Sequence, residues 1–137
     1  MSEITQIINW LKTIPDFVKT FDVSREGTGQ LIDFLGTEII ETVPFVRKGY
    51  IERRRNDYVL QVRKPFLAML QRKQNADFLV RLQKWVAAQS NAGSVPQLGN
   101  HGRQKAWVDA QQFVEMEGSD ESAIYQVQMH IEYSVYE

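Results

Sequence analysis

The clearest pattern of apolar and polar residues lies late in the sequence. Positions 125–135 alternate strictly between apolar and polar side chains over eleven residues, which is typical of a half-buried antiparallel strand. The preceding Trp107–Met116 also has strand character, and Glu117–Glu121 between the two segments has the composition of a turn. The pattern therefore predicts a β-hairpin over these residues.

Two other segments carry apolar residues at helical spacing. The stripe between Asn75 and Gln89 consists of Phe78, Leu79, Leu82, Trp85 and Val86. It predicts an amphipathic helix that is capped by Asn75 and terminated by Gly93. A short helix is predicted for Ser2–Lys12, and a further helical turn near Phe17–Phe21.

The middle of the chain favours strands. Residues 50–64 are predicted as one long strand or an open hairpin that Pro65 closes, with one basic and one apolar face. Leu31–Leu35 and Ile39–Val46 are predicted as short or edge strands, because Gly36 and Pro44 interrupt them.

Residues 94–103 are rich in Pro, Gly and Asn and are predicted as a loop. Together the elements predict an α+β fold. We expect a single domain over 1–137, with an antiparallel sheet of about four strands flanked by two to three helices.

The formal net charge of −1 conceals a segregated distribution. Residues 47–73 carry a net charge of +7, whereas residues 106–137 carry −7. A chain with one basic and one acidic segment can meet copies of itself head to tail. Charge alone supports equally well an alternative, in which the two segments are neighbouring strands that neutralise each other within one subunit. A net charge near zero argues against a protein whose main role is to bind nucleic acid.

The residues that carry chemistry are sparse. The chain has no cysteine, which excludes disulfides and thiol catalysis, and Gly27-Thr28-Gly29 lacks the residues of a phosphate-binding loop. We interpret His101 and His130 as ordinary surface histidines, since neither has a triad or metal partner at a suggestive spacing. No enzyme activity, metal or cofactor is expected. The longest apolar runs, such as Phe78–Val80, are too short to span a membrane.

The run Arg53-Arg54-Arg55 is the strongest functional indication. The basic segment 47–73 also contains Tyr50 and Tyr58, and such a segment can bind phosphates. However, consecutive residues of a strand point to opposite faces, so the three arginines do not form one patch. Arginine is also enriched at protein interfaces. We therefore favour a protein interface, with a small nucleic-acid-binding α+β module as the alternative and a merely solvated run of charges as the third possibility.

Several segments of residues 39–137 resemble the tail-terminator (minor capsid) proteins of long-tailed bacteriophages and related tail-like particles. The resembling segments are the helix Phe78–Trp85, the loop Val95-Pro96-Gln97-Leu98-Gly99, the turn Glu117–Asp120 and the strand Ala123–Gln128 with its Tyr-Gln-x-Gln pattern. The more basic stretch Asn100–Lys105 and the arginine run depart from the family's pattern.

The resemblance implies a structural virion protein without catalysis, located in the virion tail and assembled in the host bacterial cytoplasm. Such proteins form a ring, typically a homohexamer, which caps the tail tube, ends its elongation and joins it to a head-tail connector or stopper protein. DNA only passes through the channel of the ring, and no membrane is involved.

We predict contacts with other subunits or with the tube at eight charged residues: Arg53, Arg54, Arg55, Arg63, Glu115, Glu117, Asp120 and Glu121. The loop residues that carry the resemblance are Pro96, Leu98 and Gly99.

Overall fold

A computed structural model describes residues 3–14, 32–44, 49–65, 69–116 and 122–136. These residues form two helices and four strands. They are α1 (Glu3–Leu11), β1 (Ile32–Pro44), β2 (Tyr50–Pro65), α2 (Met69–Ala92), β3 (His101–Met116) and β4 (Ser122–Tyr136). The α+β fold with a four-stranded antiparallel sheet is confirmed. The helical turn predicted near Phe17–Phe21 lies outside the described residues.

The strands lie in the order β1-β2-β4-β3, and every neighbouring pair is antiparallel. β2 is one long strand, not an open hairpin, and it ends at Pro65 as predicted. The prediction of two short strands before it was wrong in one respect, because β1 continues through Gly36. The pairing shifts by one residue there, and Gly36 has a φ of 140°. Glycine adopts this backbone conformation without a Cβ clash, so it makes a bulge without ending the strand.

The core lies between the sheet and the two helices. The alternation of β4 holds, since Val127, Met129 and Ile131 are fully buried on one face. Their register partners on β2, Leu60, Tyr58 and Asn56, are also buried. Both helices contribute buried side chains to this same cluster, which places them on one side of the sheet.

Helix α2 is longer than the sequence pattern predicted. It begins at Met69, so Asn75 lies inside the helix and is not its N-cap. Leu82 and Val86 are fully buried, as the stripe predicted. The helix terminates at Gly93, which has a φ of 73°. Its end is closed by two backbone hydrogen bonds, from Gly93 to Ser90 and from Ser94 to Gln89, the pattern of a Schellman motif.

Helix α1 packs its apolar face on the same core. Ile7 is fully buried, and the Trp10 ring lies 5.1 Å from the ring of Trp85 on α2, centre to centre. After Leu11, the amides of Thr13 and Ile14 donate to the carbonyls three residues earlier instead of four. This tighter turn ends the helix close to the predicted boundary.

Candidate functional site

Strand β2 separates the arginine run between the two faces of the sheet. Tyr58 and Leu60 mark the face that the helices cover. Arg54 shares their parity, whereas Arg53 and Arg55 lie on the opposite face. We call that opposite face the open face and define it by Arg53, Arg55, Asp57, His130 and Glu132. No helix or strand among the described ranges lies over it. The three arginines thus form no single patch, as strand geometry predicted.

Arg53 ties three strands together on the open face. Its Nη2 donates to Glu132 Oε2 on β4 at 3.2 Å, and the two side chains are each 25% exposed. Its Nη1 donates to Ser134 Oγ at 3.0 Å and to the carbonyl of Arg103 on β3 at 3.2 Å. Both terminal nitrogens of the Arg53 guanidinium therefore donate hydrogen bonds to groups of the same chain.

The other two arginines are also paired with carboxylates of the same chain. Arg55 donates from Nε to Asp57 Oδ1 at 3.0 Å and pairs with Glu38 on β1. Arg54 donates from Nε to Glu52 Oε2 at 2.5 Å. That hydrogen bond is the main reason why the pKa of Arg54 is raised. Phosphate groups would have to compete with these carboxylates, so the geometry does not favour a nucleic-acid interface at the run.

The contact between Arg53 and Glu132 joins the basic segment to the acidic one. β2 and β4 are neighbouring strands of one subunit. For Arg53 and Glu132, the basic and acidic segments therefore neutralise each other within the subunit, which is the alternative that the charge distribution left open. The role of the arginine run in contacts between subunits stays a prediction.

His130 differs from its sequence interpretation. It is 8% exposed and is not an ordinary surface histidine. Its Nδ1 lies 2.5 Å from Asp57 Oδ1, and its Nε2 lies 3.0 Å from Asp109 Oδ1. The Trp107 ring covers it at 5.1 Å between ring centres. No sequence pattern indicates this cluster, because the two carboxylates are 73 and 21 residues away along the chain.

Among the described residues, the side chains hydrogen-bonded to His130 are two carboxylates, and no hydroxyl group is bonded to its ring. Both ring nitrogens face carboxylate oxygens, so the ring joins β2 to β3 through β4. Among the described residues, no group of three or more His, Asp or Glu side chains is arranged to hold a metal ion.

A second polar cluster lies under the helices. Asn56, only 1% exposed, accepts a hydrogen bond from Tyr133 Oη at 3.0 Å. Its amide donates to Tyr58 Oη at 3.3 Å and to Glu3 in the first turn of α1. Burial raises the pKa of the Tyr58 phenol. The cluster anchors α1 to the sheet, which the sequence did not predict because Asn56 sits in a run of charged residues.

The loop that carries the family resemblance is held by one side chain. Gln104 Oε1 accepts from the amides of Leu98 and Gly99 at 2.7 and 2.8 Å, and its Nε2 donates to the Pro96 carbonyl at 2.5 Å. A Cβ on Gly99 would lie 2.2 Å from the Ser134 carbonyl oxygen, so the position requires glycine. Gln104 belongs to β3, which starts at His101, so the predicted loop 94–103 was too long.

The remaining predicted contact residues are only partly described. Arg63 on β2 and Glu115 on β3 pair in register with the same β4 residue, Ile124, one from each side. Glu117, Asp120 and Glu121 lie outside the described residues.

The two edges of the sheet are unlike. On β3, the Ala106 amide donates to Ser90 Oγ at 3.0 Å, and the Asp109 carbonyl accepts from Gln83 Nε2 at 2.9 Å. Both Ser90 and Gln83 belong to α2, so the helix occupies polar backbone groups of this edge. Such covering is one way in which proteins protect an edge strand.

The β1 edge has no such cover among the described residues. It exposes two large apolar side chains, Ile39 at 62% and Ile40 at 45%. Its acidic side chains Glu38 and Glu41 are exposed as well, whereas the exposed charges at the start of β3 are Arg103 and Lys105. The β1 and β3 edges therefore differ in whether a described helix is bonded to their backbone groups, in their exposed apolar side chains and in their exposed charges.

Comparisons with protein-family models, with curated proteins and with solved structures found no match to this chain. Neither helix in the described part of the chain combines the length and the apolar character that crossing a membrane requires.

Proposed function

We propose that this chain is a structural subunit that assembles with copies of itself into a closed ring. The ring caps the tail tube of a long-tailed phage or a related particle, ends elongation of the tube and joins it to the head connector. DNA passes through the channel of the ring, and the subunit needs no cofactor.

The observation that carries this proposal is the difference between the two edges of the sheet. A closed ring of identical subunits needs heterologous contacts, in which each subunit presents two different patches. The apolar and acidic β1 edge, to whose backbone no described helix is bonded, and the helix-covered β3 edge, with Arg103 and Lys105 exposed at its start, are two such patches on opposite sides of one sheet.

The segments that resemble tail terminators support the proposal because they are contiguous in the fold. Helix α2, the loop at Pro96–Gly99, β3 and β4 follow one another and pack together. Gly99 fits against the Ser134 carbonyl, and Gln104 binds the loop from within, so the loop motif matches a defined local structure.

The arginine run supports a protein scaffold more than a nucleic-acid module. All three arginines are paired with carboxylates of their own chain. In the proposed ring Arg53 and Arg55 order the open face and hold Glu132 and Glu38 in place.

Electron microscopy with tail tubes tests the proposal. The tube protein from the same genome is polymerised with and without this chain. The expected result is an annulus at one end of each tube and arrested elongation. Tubes that keep growing without an annulus would refute the tube-capping role.

A DNA-retention assay separates the alternative class. We expect the monomer to show no salt-sensitive retention on single- or double-stranded DNA. Strong retention that weakens with salt would instead favour the nucleic-acid-binding module.

A further inference from the structure

Among the described residues no helix is bonded to the backbone of the β1 edge, so this edge can take a partner that matches its chemistry. Exposed edge strands with large apolar side chains are sites where other chains attach. Ile39 and Ile40 provide the apolar part, and Glu38 and Glu41 add negative charge on the same edge. A complementary surface therefore has to be basic and partly apolar.

The opposite side of the same sheet has this character. Lys105 on β3 is exposed, forms no ion pair with a described residue, and has its Nζ 5.3 Å from the centre of the Trp107 ring. Arg103 is exposed nearby. Val80, on the helix that covers β3, is 47% exposed and supplies an apolar element.

The strand register relates the two sides to each other. Glu38 pairs with Arg55, Arg55 with Glu132, and Glu132 with Lys105. These four residues form one row across the sheet, which we call the charge row. Its charges alternate from an acid at the β1 edge to a base at the β3 edge. A second copy placed beside the first continues the alternation, because its Glu38 would follow Lys105.

The same charges disfavour a symmetric contact. Two copies joined through their β1 edges would bring Glu38 and Glu41 close to the same acids of the partner, and facing like charges are destabilising. The Ala106 and Asp109 backbone groups of β3 are already bonded to α2, so two β3 edges have little left to offer each other.

From these observations we propose that the β1 edge of one copy packs against the β3 side of the next, with Glu38 of one copy facing Lys105 of the other. This inference rests on the self-assembly part of the proposed function and assigns its contact. It does not depend on the tube.

Cysteine cross-linking tests the contact directly, because the natural chain has no cysteine. Glu38 and Lys105 of one copy are separated by three strand spacings, roughly 14 Å. A disulfide needs Cα atoms within about 7 Å, so Glu38→Cys/Lys105→Cys cannot close within one copy. Under mild oxidation we expect this variant to form a ladder of covalent oligomers that stops at the closed ring.

The matched control is Thr5→Cys/Lys12→Cys, two exposed positions in and just after α1, an element that supplies no residue to the proposed contact. It is expected to show no ladder. An equimolar mixture of Glu38→Cys and Lys105→Cys should give mostly the mixed dimer. A Glu38→Cys sample that dimerises with itself equally well, or a double variant that stays monomeric at every concentration, would overturn the proposed contact.

Charge reversal provides a second measurement that does not depend on disulfide geometry. Glu38→Lys makes the 38–105 pair two bases and Lys105→Glu makes it two acids, so each variant alone should lose association in sedimentation experiments. Mixing the two restores opposite charges at every contact of an alternating ring with an even number of subunits. Circular dichroism verifies that each variant is folded.

Folded variants that associate like the unmodified chain, or a mixture that fails to recover, would count against the contact. The outcome is separable from the proposed function. Rings that form without the 38–105 cross-link would leave the function standing and refute this contact. A ladder without tube capping would support this contact and refute the tube-capping role.

Discussion

The two faces of the sheet are stabilised by different interactions. On the helix-covered face, Tyr58, Leu60 and Met129 have no solvent exposure and pack with Leu82 of α2. On the open face the connections are ion pairs with partly exposed side chains, such as Arg53 with Glu132. Full burial of one large apolar side chain stabilises a protein by about 1.5–3 kcal/mol, whereas an exposed ion pair contributes about 0–1 kcal/mol. The covered face therefore contributes most of the stability of the fold.

The largest effect is expected from a cavity on the covered face. Leu82→Ala removes a fully buried side chain between α2 and the sheet, and such substitutions cost about 2–5 kcal/mol. Urea unfolding measures the change in the free energy of unfolding. Val80→Ala on the same helix is the control, because Val80 is 47% exposed and should change stability by less than about 0.5 kcal/mol. Equal losses for the two variants would show that the stability of the covered face does not come from burial.

An intermediate effect is expected from the buried polar cluster. Asn56→Ala removes the acceptor of Tyr133 and a donor to Tyr58 and Glu3. Leaving a buried polar group without its partner costs about 1–3 kcal/mol, so the free energy of unfolding should fall by this amount. Tyr133→Phe, which removes one hydroxyl and retains Asn56, should cost less. A larger loss for Tyr133→Phe would mean that Asn56 does not organise the cluster.

The smallest effect on stability is expected on the open face. Arg53→Ala breaks the ion pair with Glu132, whose side chains are 25% exposed, and should lower the free energy of unfolding by no more than about 1 kcal/mol. Arg53→Lys retains the charge and serves as the control. A loss for Arg53→Ala as large as for Leu82→Ala would contradict the distinction between the two faces.

The elements that the sequence predicted well are those with a one-sided apolar pattern. β4 alternates strictly from Tyr125 to Val135 and lies as predicted, with Val127, Met129 and Ile131 in the core. The stripe of α2 contained the buried Leu82 and Val86 for the same reason. A one-residue shift of such a pattern would expose the core side chains, so the pattern strongly restricts which face of the element is buried.

The features that sequence could not predict depend on distant partners. His130 looked like a polar position of β4, and only the register brings Asp57 and Asp109 to its two ring nitrogens. The start of α2 was missed because Met69–Gln74 lacks an apolar stripe of its own. Gly36 was taken to interrupt a strand that in fact absorbs it as a bulge.

The contact between Trp10 and Trp85 gives the chain an intrinsic optical probe. Their rings are tilted by 38° at 5.1 Å between centres, and they belong to different helices. Indoles this close couple their electronic transitions, so the pair should produce a near-ultraviolet circular dichroism band that exists only while α1 is docked on α2. That band would follow the undocking of the first helix separately from the melting of the sheet, without any added label.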